Sequence, residues 1–163
     1  MNRAIIIAPV RKTIVVAATP EKAFAVFTAG IDRWWPKSNG IGASPIRESI
    51  IEPFVGGRWY TRCEGDTEVV VGHVRVWQPA ERFVVSWGIS VQWKPDARVA
   101  LASEVEVRFV AETNGSTRVE LEHRNFERMG ATAGETMRKG VDNGWPALLE
   151  LFAKEASSGA PSS

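Results

Sequence analysis

The chain has 163 residues, and its 20 basic and 19 acidic side chains leave a formal net charge of +1. The signs are interspersed, so the sequence carries no electrostatic footprint for a phosphate backbone, and nucleic acid is excluded as an expected partner. One cysteine, Cys63, rules out an internal disulfide; with only two histidines there are too few soft ligands for a zinc cluster, so no metal or cofactor is expected and a reducing cytoplasm fits.

Residues 1–9 hold a short apolar run that ends at Pro9. It falls far below a signal-peptide core or the roughly 20 apolar residues of a membrane span, and it reads as a leading arm. The β-branched run 10–18 predicts a strand. At Thr19-Pro20-Glu21 a capping residue, a proline suited to the first helical position and a dipole-matched acid predict a helix carrying Ala23, Phe24 and Phe27. Gly30 breaks it, Ile31 to Trp35 predict one further turn before Pro36, and KSNGIGASP reads as a loop.

Strand-like runs follow at about 45–52, 57–64, 68–77, 82–88, 103–111 and 117–124, punctuated by turns such as Glu64-Gly65-Asp66 and Asn114-Gly115. Together they predict an antiparallel meander. Residues 89–102, with Trp93 and Pro95, are a long connection that reads as a lid or an extended hairpin. Over 131–155, Met137, Val141, Leu148, Leu149 and Phe152 follow helical spacing. Gly144-Trp145-Pro146 interrupts that pattern, and the proline is expected to kink the helix or mark its true first turn. Residues 156–163 read as a disordered tail, so the expected organisation is one domain over 10–155. The element order predicts an α+β helix-grip fold: a curved antiparallel sheet of six to seven strands around a long C-terminal helix, with two short helices after the first strand.

Alternation along strands decides which side chains can meet that helix. Val119, Leu121 and His123 share one face, as do Val105, Val107 and Phe109, and Phe83, Val85 and Trp87; Trp59 and Cys63 join them if their strand pairs regularly. Arg82, Ser86, Glu104, Glu106 and Arg108 fall on the outer face, and His73 and Arg75 are expected at the surface. The expected pocket lining is Trp59, Phe83, Trp87, Phe109 and His123, backed by Met137, Val141 and Leu148, with Trp34 and Trp35 either at the pocket mouth or plugging the core. Inward His123 is the best placed group for polar chemistry, weighed against a structural role in which it bonds a backbone group. Glu48 is expected inward with Ile46 and Ile50, where it would pair with His123. Trp145 and Cys63 read as packing residues.

Local motifs add a resemblance. ATPEKAFAVFT near the start, the Trp34-Trp35 pair, VGGRW at 55–59, GHV at 72–74, PAERFVVSW at 79–87, TRVELEH at 117–123 and NGWPALLELF at 143–152 occur in order across about 10–153. In these the chain resembles the SRPBCC (START-like, Bet v-like) superfamily, and more narrowly the bacterial proteins related to the activator of heat-shock protein 90 ATPase. The resemblance implies a sheet wrapped around the last helix with a cavity between them, and no single activity. Its relatives include lipid carriers, polyketide cyclases and aromatases, and chaperone activators. The leading expectation is therefore binding of a small apolar or aromatic molecule without catalysis. The second is a cyclase-like or hydrolase enzyme with His123 as acid or base and Glu48 orienting it. The third is a chaperone-docking protein, ranked last because the interspersed charges offer no docking patch. Nothing in the pattern separates a monomer from a homodimer.

Overall fold

A computed structural model describes residues 6–37 and 45–158. Most of the expected KSNGIGASP loop, residues 1–5 of the arm and residues 159–163 of the tail lie outside the described residues. Seven strands form one antiparallel sheet: β1 (Val10–Val16), β2 (Ile46–Ile51), β3 (Arg58–Cys63), β4 (Glu68–Gln78), β5 (Arg82–Trp87), β6 (Ser103–Ala111) and β7 (Thr117–Arg124). Their order is β1-β7-β6-β5-β4-β3-β2, so β1 and β2 are opposite edges. Two short helices, α1 (Pro20–Phe27) and α2 (Ile31–Trp34), stand between those edge strands in the chain, and α3 (Ala131–Ser157) closes the fold.

Local chemistry sets these boundaries. The Thr19 hydroxyl accepts from the Lys22 amide at 3.2 Å, and Pro20 occupies the first turn of α1. The β6–β7 connection uses Asn114 and Gly115 at φ 74° and 76°, the left-handed pair that matches the twist of a hairpin. Along α3 the buried residues Met137, Val141, Trp145, Leu149, Phe152 and Ala156 recur every three or four positions, one stripe facing the sheet.

Three expectations about the elements need correction. Pro146 sits inside α3 and does not mark its first turn; it is exposed, so the Asp142 carbonyl it leaves without an amide donor faces the solvent side. The helix also runs past 155 to Ser157, because Ala156 is fully buried and the Ser157 hydroxyl accepts from the Ala17 amide at 3.0 Å. Lastly, Ser86 and Glu106 point outward as expected and yet are buried. Gly72 lies so close to Ser86 that a Cβ there would stand 1.7 Å from its carbonyl oxygen, and the Ser86 hydroxyl accepts from the His73 amide at 2.8 Å. Glu106 is enclosed by Arg82, Arg108 and Arg124.

Register explains where alternation holds. Strands β5, β6 and β7 pair without a break, with Val85 opposite Val105 and Val105 opposite His123, and every residue expected inward on them is buried. Pairing shifts occur between Ile46 and Glu48, between Trp59 and Tyr60, and between Val74 and Val76. The first of these bulges reverses parity in β2, so Ser49 is buried and Glu48 is exposed. Glu48 therefore faces away from His123, with its carboxylate 3.6 Å from Arg62, and the expected pairing with the imidazole does not form.

Candidate functional site

The space between sheet and helix is occupied by rings in contact. Trp34 and Trp35 lie 5.8 Å apart, Trp35 and Trp59 5.3 Å, Trp59 and Trp87 5.6 Å, and Trp87 and Trp145 5.9 Å. A second group joins Phe24, Phe27, Phe83 and Phe109 at edge-to-face or stacked distances, with Phe152 of α3 against Phe27. These arrangements suit the aromatic quadrupole, and the rings are buried at the inner end of the sheet. Trp34 and Trp35 are both 4% exposed, so they sit in the core and not at a mouth. The Trp34 indole N–H donates to the Val26 carbonyl at 2.9 Å.

His123 is fully buried in this cluster, with Phe126 stacked on it at 4.7 Å. The Trp145 indole donates to its Nδ1 at 3.1 Å, and its Nε2 lies 2.8 Å from the Ser103 hydroxyl. Because an indole only donates, Nδ1 must be the acceptor; the proton resides on Nε2 and is donated to Ser103. Burial holds the imidazole well below its ordinary value, at about 3. The partners are thus two side chains and not the backbone group expected.

An open depression begins where the rings end. It has a volume of about 340 Å³ and lies between α3 and the segment after β5, lined by Pro36, Trp87, Trp93, Gly140, Val141, Gly144, Trp145, Ala147, Leu148 and Leu151. That volume is within the range of roughly 300–1,000 Å³ typical of small-molecule sites. Residues 88–96 fold back as a tight hairpin: the Asp96 amide donates to the Gly88 carbonyl at 2.8 Å and the Ser90 amide to the Lys94 carbonyl at 2.9 Å. Its tip places Trp93, at φ 59° and 45% exposed, over α3. A Cβ on Gly140 would stand 2.9 Å from Cζ2 of Trp93, so the missing side chain is what lets the indole rest on the helix. At Gly144, one turn on, nothing lies within 4 Å of such a Cβ and the helix backbone forms open floor.

Of the residues singled out in the sequence, Trp87, Val141 and Leu148 border this depression, as does Trp145, which the sequence reading assigns to packing. Trp34, Trp35, Trp59, Phe83, Phe109, His123 and Met137 are buried in the ring cluster behind it. Sequence reasoning missed Trp93, Gly140, Gly144 and Leu151. The signal for them was an aromatic residue in a loop together with glycines at spacing four in a helix, where glycine is otherwise unfavourable.

The profile of the family described as "Activator of Hsp90 ATPase homolog 1-like protein" matches residues 17–157. No curated protein sequence matches the chain. Among solved structures, an anthrahydroquino-γ-pyrone synthase, Txn09, complexed with SUM, is 38% identical, with a TM-score of 0.64 over 91% of this chain and 97% of that one. The self-sacrificing resistance protein CalC from Micromonospora echinospora is 28% identical, with a TM-score of 0.69 over 95% and 97%. CalU16 from the same organism is 22% identical over 92% of this chain and 76% of that one, at a TM-score of 0.59, and shares the fold.

Proposed function

The chain belongs to the family of Activator of Hsp90 ATPase homolog 1-like proteins, and from that premise we propose that it binds a flat, largely apolar aromatic molecule between the 88–96 hairpin and α3. The observation that carries this reading is the depression itself: the indoles of Trp87, Trp93 and Trp145 surround a floor of helix backbone left open at Gly144, with no charged side chain among the lining residues. Indoles bordering an open slot favour a planar partner, since stacking and edge contacts use the ring faces that a branched aliphatic chain leaves uncovered. The 38% identity to an anthrahydroquino-γ-pyrone synthase supports the same class of molecule.

Calorimetric titration with a soluble three-ring aromatic sulfonate tests the reading. Saturable binding is expected, weakened at least about ten-fold by Trp93→Ala. Trp93 is half exposed, so the melting temperature of that variant should stay close to that of the parent. Absence of binding to the parent, or equal affinity in the variant, would contradict the proposal.

A second reading, that the bound molecule is also cyclised, is favoured by the synthase relative. Both His123 nitrogens are engaged and the ring is sealed from solvent, so His123 would act in it as a positioning residue, and Glu48 on the outer surface would take no part. The pocket's contribution would be to hold a reactive chain folded and dry. Unchanged turnover of such a substrate in Glu48→Gln is the expected result, and loss of turnover would return Glu48 to the site.

A further inference from the structure

Polar bonds tie the 88–96 hairpin to the molecule at its base alone. There the Gly88 amide donates to the Val71 carbonyl at 2.6 Å, the Asp96 amide donates to the Gly88 carbonyl, and the Asp96 carboxylate accepts from the Arg98 amide and Nε. Beyond the base, the backbone bonds of residues 89–95 run within the hairpin, and among the described residues no side chain of 89–95 enters a hydrogen bond or an ion pair. Apolar contact holds the rest: Ile89 is buried, Val91 is half-buried against the core, and the half-exposed Trp93 rests on α3 at Gly140.

That last seat is a shallow one. Trp93 lies in the left-handed backbone region, which a bulky side chain seldom adopts, and its indole fits only because residue 140 has no Cβ. Open space adjoins the hairpin in two places: the 340 Å³ depression beside Trp93, and a smaller one of about 110 Å³ lined by Ser90, Val91 and Gln92 together with Met129 and Ala133. The tip can therefore tilt about its base without breaking a bond of the sheet ladder. Trp87 and Trp145 border the larger depression yet are 5% and 2% exposed, so a flat ring gains little contact with them while Trp93 stays down.

Resting on the proposed aromatic-ligand site, we infer that the hairpin is a lid hinged at Gly88 and Asp96, shut in this structure by Trp93 on Gly140, and that it lifts to admit the ligand and closes again over it. The two helix glycines then have separate duties, Gly140 as the seat of the lid and Gly144 as the floor of the slot. With the lid shut in most molecules, only the open fraction accepts ligand, and the association rate scales with that fraction.

Stopped-flow fluorescence with anthracene-2-sulfonate, applied to the parent and to Gly140→Ala, Trp93→Ala and Gly144→Ala, tests the lid. A methyl at 140 unseats the indole and Trp93→Ala removes it, so both variants are expected to associate about ten-fold faster than the parent, to dissociate faster still, and so to bind more weakly. Gly144→Ala adds a methyl that meets nothing of the hairpin, and its association rate should stay within about two-fold of the parent's. Faster association with weaker affinity is the mark of a lid, because loss of a fixed wall raises dissociation alone. A second readout uses the unaltered protein: the amides of Ser90 and Trp93 should exchange with deuterium faster than those of β5 and β6, and saturation with the probe should slow them. Association in Gly140→Ala and Trp93→Ala no faster than in the parent, or hairpin amides whose exchange ignores the probe, overturns the lid and leaves the pocket reading standing. Failure of the parent to bind overturns the two together.

Discussion

His123 shows how a single residue can be placed correctly by pattern and still be misjudged in its chemistry. Alternation along β7 is enough to point it inward, and its proximity to aromatic residues suggests a proton-transfer group. What alternation cannot supply is the pair of side chains, Trp145 and Ser103, that fix both ring nitrogens, since they come from other elements, α3 and the neighbouring strand β6. His123→Ala would leave the Trp145 donor unpaired and open a void, and should lower unfolding stability by roughly 2–4 kcal/mol in chemical denaturation. The lowered pKa has a direct consequence. Between about 3 and the ordinary 6.5 the unfolded chain binds a proton at this position and the folded chain does not, so the contribution is complete above 6.5 and is lost as pH falls towards 3. Replacing His123 with non-titrating Gln should therefore flatten the fall of stability between pH 6.5 and 5 by up to one proton, about 1.4 kcal/mol per pH unit, as measured by denaturation at a series of pH values.

Two elements show what holds the sheet and helix in place. On the outer face, burial by itself would raise the pKa of Glu106, but hydrogen bonds from Arg108, Arg124 and Arg82 outweigh it and bring the carboxyl down to about 2. That ion cluster ties β5, β6 and β7 together across the face opposite the helix. Glu106→Gln should cost roughly 1–3 kcal/mol at neutral pH, and the difference from the parent should narrow as pH falls from 4.5 towards 2. Within α3 the glycines separate into two kinds. A Cβ on Gly134 would meet the Phe126 carbonyl oxygen at 2.4 Å, so Gly134→Ala should destabilise. At Gly144 the space is open, so alanine should raise stability by about 0.5–1 kcal/mol while weakening binding of a ligand that uses this floor. A thermal melt paired with a titration separates the two effects. At this scale the sequence was legible where the ladder is regular, in β5 to β7, and also for Trp59 and Cys63 of β3, which are buried as expected; it failed in β2. The bulge between Ile46 and Glu48 turns the side chains after it to the other face, and that is why Glu48 was expected inside.

For the whole molecule, the grip of a seven-stranded sheet on one long helix could be read from element order and motif order together. The position of the open space could not. Whether large inward side chains line a cavity or fill it depends on how rings from five or more elements interlock, and no periodicity encodes that. Here the rings fill the inner end and the opening shifts outward, to the hairpin tip where Trp93 meets Gly140. None of the described helices is long and apolar enough to cross a membrane. The most direct test of the account is a map of amide and indole chemical-shift changes on adding a planar aromatic ligand. The largest changes are expected at Trp93, Trp87, Gly140, Gly144 and Leu148. Changes centred instead on the exposed apolar residues Phe54, Val55 and Val99, or on the arginine cluster around Glu106, would contradict it.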